Sequence, residues 1–242
     1  MRVFYISGFR YSLKVWELSG ALERELMYFE KLYKDYKIEH SIFTYGDFDD
    51  LNYINNESIS IYPMFSIFKK TESKIITFLL SIIYPFKMRK KLKNNIDIIK
   101  VNQLTGAWVG IILSIILKKP LYIRTGYDQY LFSIKDGKNV FKRLFFYFLT
   151  YIALIFCDIY SVTSKSDFEF ITTKYRFNKS KLIEIYEDGI NQYSSGLLYF
   201  QCDKDNNNVD VFFLEPNKII EMISQETWEQ LKIDAGDKKI FL

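Results

Sequence analysis

The chemistry open to this 242-residue chain is concentrated where short apolar runs give way to polar residues and glycine. The densest such place is Arg124-Thr125-Gly126-Tyr127-Asp128-Gln129. A guanidinium there can clamp a phosphate through two parallel hydrogen bonds, and a carboxylate can take a proton from a hydroxyl. Arg124 and Asp128 are therefore the candidate catalytic residues, with Tyr127 beside them as a binding residue. The alternative is an ion pair between Arg124 and Asp128 that only shapes the loop. A second cluster is Asn102-Gln103-Leu104-Thr105-Gly106-Ala107-Trp108. Asn102 and Thr105 can bond sugar hydroxyls and Trp108 can stack on a pyranose face; equally, Trp108 can turn into the core. A third is Ser7-Gly8 together with Ser19-Gly20. Gly8 and Gly20 leave backbone N–H groups open to an anion or a hydroxyl at the start of a helix, or the second pair is a plain N-cap.

Other chemistries lack their residues. Neither the Gly-x-Gly-x-x-Gly spacing of dinucleotide sites nor the Gly-Lys-Ser/Thr of phosphate loops occurs. His40 is the one histidine and falls within a strand pattern, away from its end. That weakens serine–histidine and cysteine–histidine catalysis and excludes a histidine metal cluster. Cys157 and Cys202 have no metal or redox spacing, and Cys157 lies in an apolar run, so it reads as buried and inert. No metal and no cofactor is expected.

These clusters need a scaffold, and the periodicity supplies one. Apolar runs at 3–7, 38–44, 96–101, 120–124, 158–163 and 182–186 read as strands. Helical patterns cover 20–36, 74–92 (kinked or broken at Pro85), 105–117, 139–157 as a buried helix, and 164–175, capped by Ser164 with Asp167 in its first turn. Residues 8–19 and 45–62 read as loop. Long helices between short apolar strands imply right-handed crossovers and a doubly wound, mostly parallel α/β sheet. Such sheets bind ligands beyond the carboxyl ends of their strands, where the three clusters lie. The domain spans 1–190; residues 191–242 read as linker and a short extension, with a strand at 209–214 and a helix at 216–231.

The formal charge of +4 is too small to point to nucleic acid. Lys87, Arg89, Lys90, Lys91 and Lys93, directly after an apolar stretch, suit an anionic membrane surface instead. The run 144–157, apolar except for Thr150, would be about 21 Å of helix, short of the roughly 30 Å that a span needs. With no leader pattern at the start, a cytoplasmic protein peripheral to the inner membrane face is expected.

In order, these pieces resemble the N-terminal domain of the glycosyltransferases called glycosyl transferase group 1, or family 4-like. Ser19-Gly20-Ala21-Leu22-Glu23-Arg24 looks like the family's small-small-x-Glu helix start. Lys119-Pro120-Leu121-Tyr122-Ile123-Arg124-Thr125-Gly126-Tyr127-Asp128 is similar to its Arg-x-Gly-Tyr-Asp/Glu strand end. The aromatic, basic stretch 141–156, the strand ending at Ser164, and Tyr175-Arg176-Phe177-Asn178-Lys179-Ser180-Lys181 follow in the family's order. Glu187-Asp188-Gly189-Ile190-Asn191 stands where the family has an Asn-Gly-hydrophobic-Asp turn, and the histidine common after the fourth strand is missing. The resemblance implies a Rossmann-like domain forming the acceptor side of a GT-B architecture. It implies sugar transfer from a nucleotide-sugar to a lipid-linked or polysaccharide acceptor. Asn102, Thr105, Trp108, Tyr127, Gly8 and Gly20 would face the acceptor, and Glu187 and Asp188 the donor. A donor-binding second half is not recognisable. Glu221 and Glu229 have the family's glutamate spacing, but the residues between them lack its surroundings. The alternative is a membrane-associated binding module that keeps the fold without catalysis.

Overall fold

The computed structural model describes residues 1–54, 56–184, 198–202 and 209–213. Strand β1 (Arg2–Ile6) leads through α1 (Leu13–Leu18) and α2 (Ala21–Tyr36) to β2 (Glu39–Thr44), and a 3-10 turn to β3 (Ile59–Pro63). Then come α3 (Lys74–Leu92), β4 (Ile98–Val101), α4 (Ala107–Leu117), β5 (Leu121–Thr125), α5 (Gln129–Lys135) and α6 (Val140–Phe156). The alternation closes with β6 (Ile159–Val162), α7 (Lys165–Lys174) and β7 (Leu182–Glu184). Farther along the chain, β8 (Leu198–Cys202) pairs antiparallel with β9 (Val209–Phe213); the helix expected at 216–231 lies outside the described residues.

Seven strands make one parallel sheet in the order β3-β2-β1-β4-β5-β6-β7. The order reverses between β1 and β4, which defines a doubly wound, Rossmann-like α/β fold and puts its switch point there. Because successive strand residues face opposite sides, β1 feeds two cores. Phe4 and Ile6 join a core with Tyr84, Met88, Leu113 and Leu154 from α3, α4 and α6. Val3 and Tyr5 join another with Leu13, Trp16, Leu22 and Phe29 from α1 and α2.

Helix ends follow local chemistry. Ser73, Asn139 and Ser164 cap α3, α6 and α7 by accepting a backbone N–H. Lys37 and Lys118 close α2 and α4 in the left-handed region at φ 54°.

Four expectations are corrected. Residues 8–19 contain α1, capped by Ser12. Residues 45–62 contain β3, an edge strand whose one partner among the described residues is β2, so its signal lay in the short Ile59-Ser60-Ile61 alternation rather than in an apolar run. Helix α3 is not broken at Pro85 but continues to Leu92; burial of Tyr84, Pro85 and Met88 against the sheet outweighs the missing hydrogen bond. Finally, α6 is not a buried helix. Leu149, Thr150, Ala153 and Leu154 are its buried residues, and its other side is exposed.

Candidate functional site

At the carboxyl edge, beside the switch point and on the α2 side of the sheet, lies a cleft of about 290 Å³. Strand β4 delivers Asn102, Gln103 and Leu104 to it; β5 and its loop deliver Arg124, Thr125, Gly126 and Tyr127; α5 adds Gln129, and α2 adds Arg24 and Glu25. The backbone around it is held tightly. Gly106 lies so close to the end of β1 that a Cβ would sit 2.7 Å from the Ser7 carbonyl oxygen. Gly8 leaves the space that the Gln103 carboxamide occupies. Asp50, buried, accepts from the Thr44 hydroxyl at 2.5 Å and from the Leu13 N–H at 3.1 Å, which ties the end of β2 to α1.

The floor of the cleft is charged. Arg24 donates to Glu25 at 3.2 Å, but the second oxygen of Glu25 is buried with no hydrogen-bond partner among the described residues, on a side chain only 8% exposed. Lys100, 1% exposed on β4, has its ammonium 5.3 Å from the Tyr5 ring and 5.8 Å from the Tyr122 ring, and it too lacks a hydrogen-bond partner. Burial pushes the Lys100 pKa well below the usual lysine range; the Arg124 charge pushes the same way and Glu25 opposes. Two guanidinium groups and the Lys100 amine, whose charged form burial disfavours, thus lie near one carboxylate, and a low-dielectric floor strengthens the field of the charged groups above it. Such an arrangement can bind a group carrying hydroxyls and negative charge. Among the described residues no cluster suits a metal ion.

Of the residues chosen from sequence, Arg124, Asn102 and Tyr127 line this cleft, and Gly8 abuts it through Gln103. Tyr127 stacks obliquely on Phe132 at 4.3 Å. Asp128 requires correction. It is fully buried and outside the lining, its carboxylate caps α5 by accepting from Leu131 N–H at 2.6 Å, and its own N–H donates to Asp167 at 3.2 Å. Burial, with Asp167 adding repulsion, raises its pKa to about 6. Trp108 is also corrected, since it packs edge-on to Phe9 and Phe78 and donates its indole N–H to Ser81 at 2.9 Å on the α3 side. Thr105 accepts from Phe9 N–H at 3.2 Å, bracing the loop after β1. Gly20 is exposed at φ +69°, where it opens α2 outside the lining. Glu187 and Asp188 lie outside the described residues.

The sequence reading missed Glu25 and Lys100. Glu25 sits between two charged or apolar neighbours on an amphipathic helix, and Lys100 breaks an otherwise apolar strand of a sheet covered on both faces. A lone charge inside such a run was the one signal that could have found it.

No family model and no curated protein sequence matches the chain. Solved structures are similar to it in shape. HepE of Anabaena in complex with UDP has a TM-score of 0.47 at 14% identity, over 78% of this chain and 45% of that one. A glycosyltransferase from Rickettsia africae has a TM-score of 0.45 at 14% identity, over 78% and 43%. The lipopolysaccharide outer core galactosyltransferase WaaB in its apo form has a TM-score of 0.43 at 12% identity, over 89% and 52%. The chain spans about half the length of the solved structures it matches.

Proposed function

We propose that the chain is the acceptor-side half of a glycosyltransferase, holding a lipid-linked or polysaccharide acceptor at the inner membrane face while a nucleotide-sugar is presented opposite it. The observation that carries this reading is the cleft at the carboxyl edge of β4 and β5. It gathers three carboxamides, a carboxylate, two guanidinium groups and the Tyr127 phenol beside the switch point. Carboxamides and a carboxylate suit the hydroxyls of a sugar, and Arg24 and Arg124 suit a phosphate on its carrier. The reading adds the order of sequence features shared with the family 4-like enzymes. Within the cleft, Glu25 takes the place given to Asp128, because it lines the cleft and Asp128 does not.

Transfer requires donor and acceptor in register, an effect worth roughly 7–11 kcal/mol when the geometry is right. The described residues provide one side of that geometry. The test is calorimetry with UDP-, GDP- and dTDP-sugars and with lipid-linked acceptors, alongside a transfer assay. The expected result is acceptor binding, weak or absent donor binding, and no sustained transfer by this polypeptide alone. Micromolar donor affinity or multiple turnovers without another protein would overturn the division of labour, and absence of acceptor binding would overturn the assignment of the cleft.

A further inference from the structure

Acidic side chains are unevenly spread among the helices. Helix α2 carries Glu23, Glu25, Glu30 and Asp35, whereas α3, α4 and α6 contain no Asp or Glu at all. Helix α4 packs against both α3 and α6, so the three form one layer. Its outer surface is unusually apolar. On α3, Ile75 (73% exposed), Leu79 and Phe86 make a stripe at helical spacing that faces solvent. On α6, Phe141 (84% exposed), Phe145 and Phe148 do the same, and from 144 to 157 there is no charge. The inward sides carry Thr77, Ser81 and Thr150. These few polar groups sit among Tyr84, Met88, Leu149 and Leu154 on the inward sides while other large apolar side chains are turned out, so the helices are apolar on both sides, unlike an ordinary amphipathic helix in water. Scattered exposed apolar residues need no explanation, but the rows of large ones on α3 and α6, with Ile115 exposed on α4 between them, do.

Cations frame this face. Lys87, Arg89, Lys90, Lys91 and Lys93 stand at the end of α3, Lys118 and Lys119 at the end of α4, and Lys138, Lys142 and Arg143 at the start of α6. No helix of the described residues is long and apolar enough to cross a membrane.

We propose that the outer face of α3, α4 and α6 lies flat on an anionic lipid bilayer, with the aromatic and aliphatic side chains entering the interface and the flanking cations meeting lipid phosphates. Charge complementarity selects this occupant over a second copy of the chain. A self-paired face would bring cations against cations without one carboxylate from these helices to answer them, whereas an anionic leaflet answers them all. The geometry also leaves the cleft usable. Each of the three helices runs opposite to the parallel strand that follows it, so their N-termini share the carboxyl edge with the cleft, which opens on the other side of the sheet, away from the lipid. The inference holds whether or not the cleft binds a sugar.

The experiment is flotation with vesicles of phosphatidylcholine alone and of phosphatidylcholine with phosphatidylglycerol, at low and high salt. Binding is expected to the mixed vesicles and to weaken with salt. Joint Arg89→Gln, Lys90→Gln and Lys93→Gln substitution should weaken it roughly a hundredfold, at about fivefold per cation. Phe141→Ser with Phe145→Ser, both exposed, should abolish it without altering the unfolding midpoint. A photoactivatable lipid added to the unaltered chain should label α3 and α6, which frees the test from the folding of any variant. No vesicle binding, binding indifferent to lipid charge, labelling confined to other elements, or self-association through this face in place of vesicle binding would each overturn the proposal. Loss of vesicle binding with acceptor binding intact would sink this inference alone.

Discussion

Replacing Asp128 by Asn separates a capping residue from a catalytic one. Burial and the neighbouring Asp167 raise the pKa of Asp128 from 3.8 to about 6. A carboxyl group whose folded pKa lies above its unfolded value loses stability as pH rises through that window. Below 3.8 both states are protonated, between the two values the folded state alone keeps the proton, and above about 6 the folded state carries a buried charge that the unfolded chain holds in water. Two pKa units correspond to about 3 kcal/mol of cost at pH 8. Asn keeps an oxygen for the Leu131 N–H and removes the charge, but its amide gains N–H donors beside an oxygen position that has no partner now, a cost of about 1 kcal/mol. The net expectation is a gain of about 1–2 kcal/mol at pH 8 that vanishes by pH 4. Urea unfolding at the two pH values reads it directly. Equal destabilisation at both would refute the electrostatic argument, and loss of acceptor binding with the fold intact would restore Asp128 to the site.

Other outcomes follow from the same packing. Burial lowers the His40 pKa from 6.5 to about 3, so stability should fall as pH drops below 6.5, by about 2 kcal/mol at pH 5; His40→Leu should flatten that slope in acid unfolding curves. Arg124→Gln should weaken acceptor binding about tenfold to a hundredfold by calorimetry, as a charge-assisted hydrogen bond is lost, while circular dichroism stays unchanged. Gly106→Ala would set a methyl 2.7 Å from the Ser7 carbonyl oxygen; a backbone atom yields poorly, so a loss of about 1–3 kcal/mol is expected in chemical denaturation.

The alternation of strands and helices was legible in the sequence because it rests on local periodicity. Strands covered on both faces are continuous apolar runs, and their helices repeat near every third or fourth residue. From that pattern alone came the parallel sheet, its carboxyl edge as the place for chemistry, and the loops holding Asn102, Arg124 and Tyr127. Where signals were short or weak the reading failed, as at α1 and at the edge strand β3. What only tertiary structure decided was direction. Periodicity states which residues share a face but not what covers it, so α6 was taken as buried when its aromatic side faces outward, and Trp108 left two orientations open until Ser81 was seen to accept its indole N–H. Asp128 lies outside the cleft lining and Glu25 within it for the same reason. A carboxylate at a loop end reads as available until α5 begins on it, and one inside a charged helix reads as solvated until β4 and β5 wall it in. Type and spacing are written along the chain, whereas exposure and the field at a site are sums over neighbours distant in sequence.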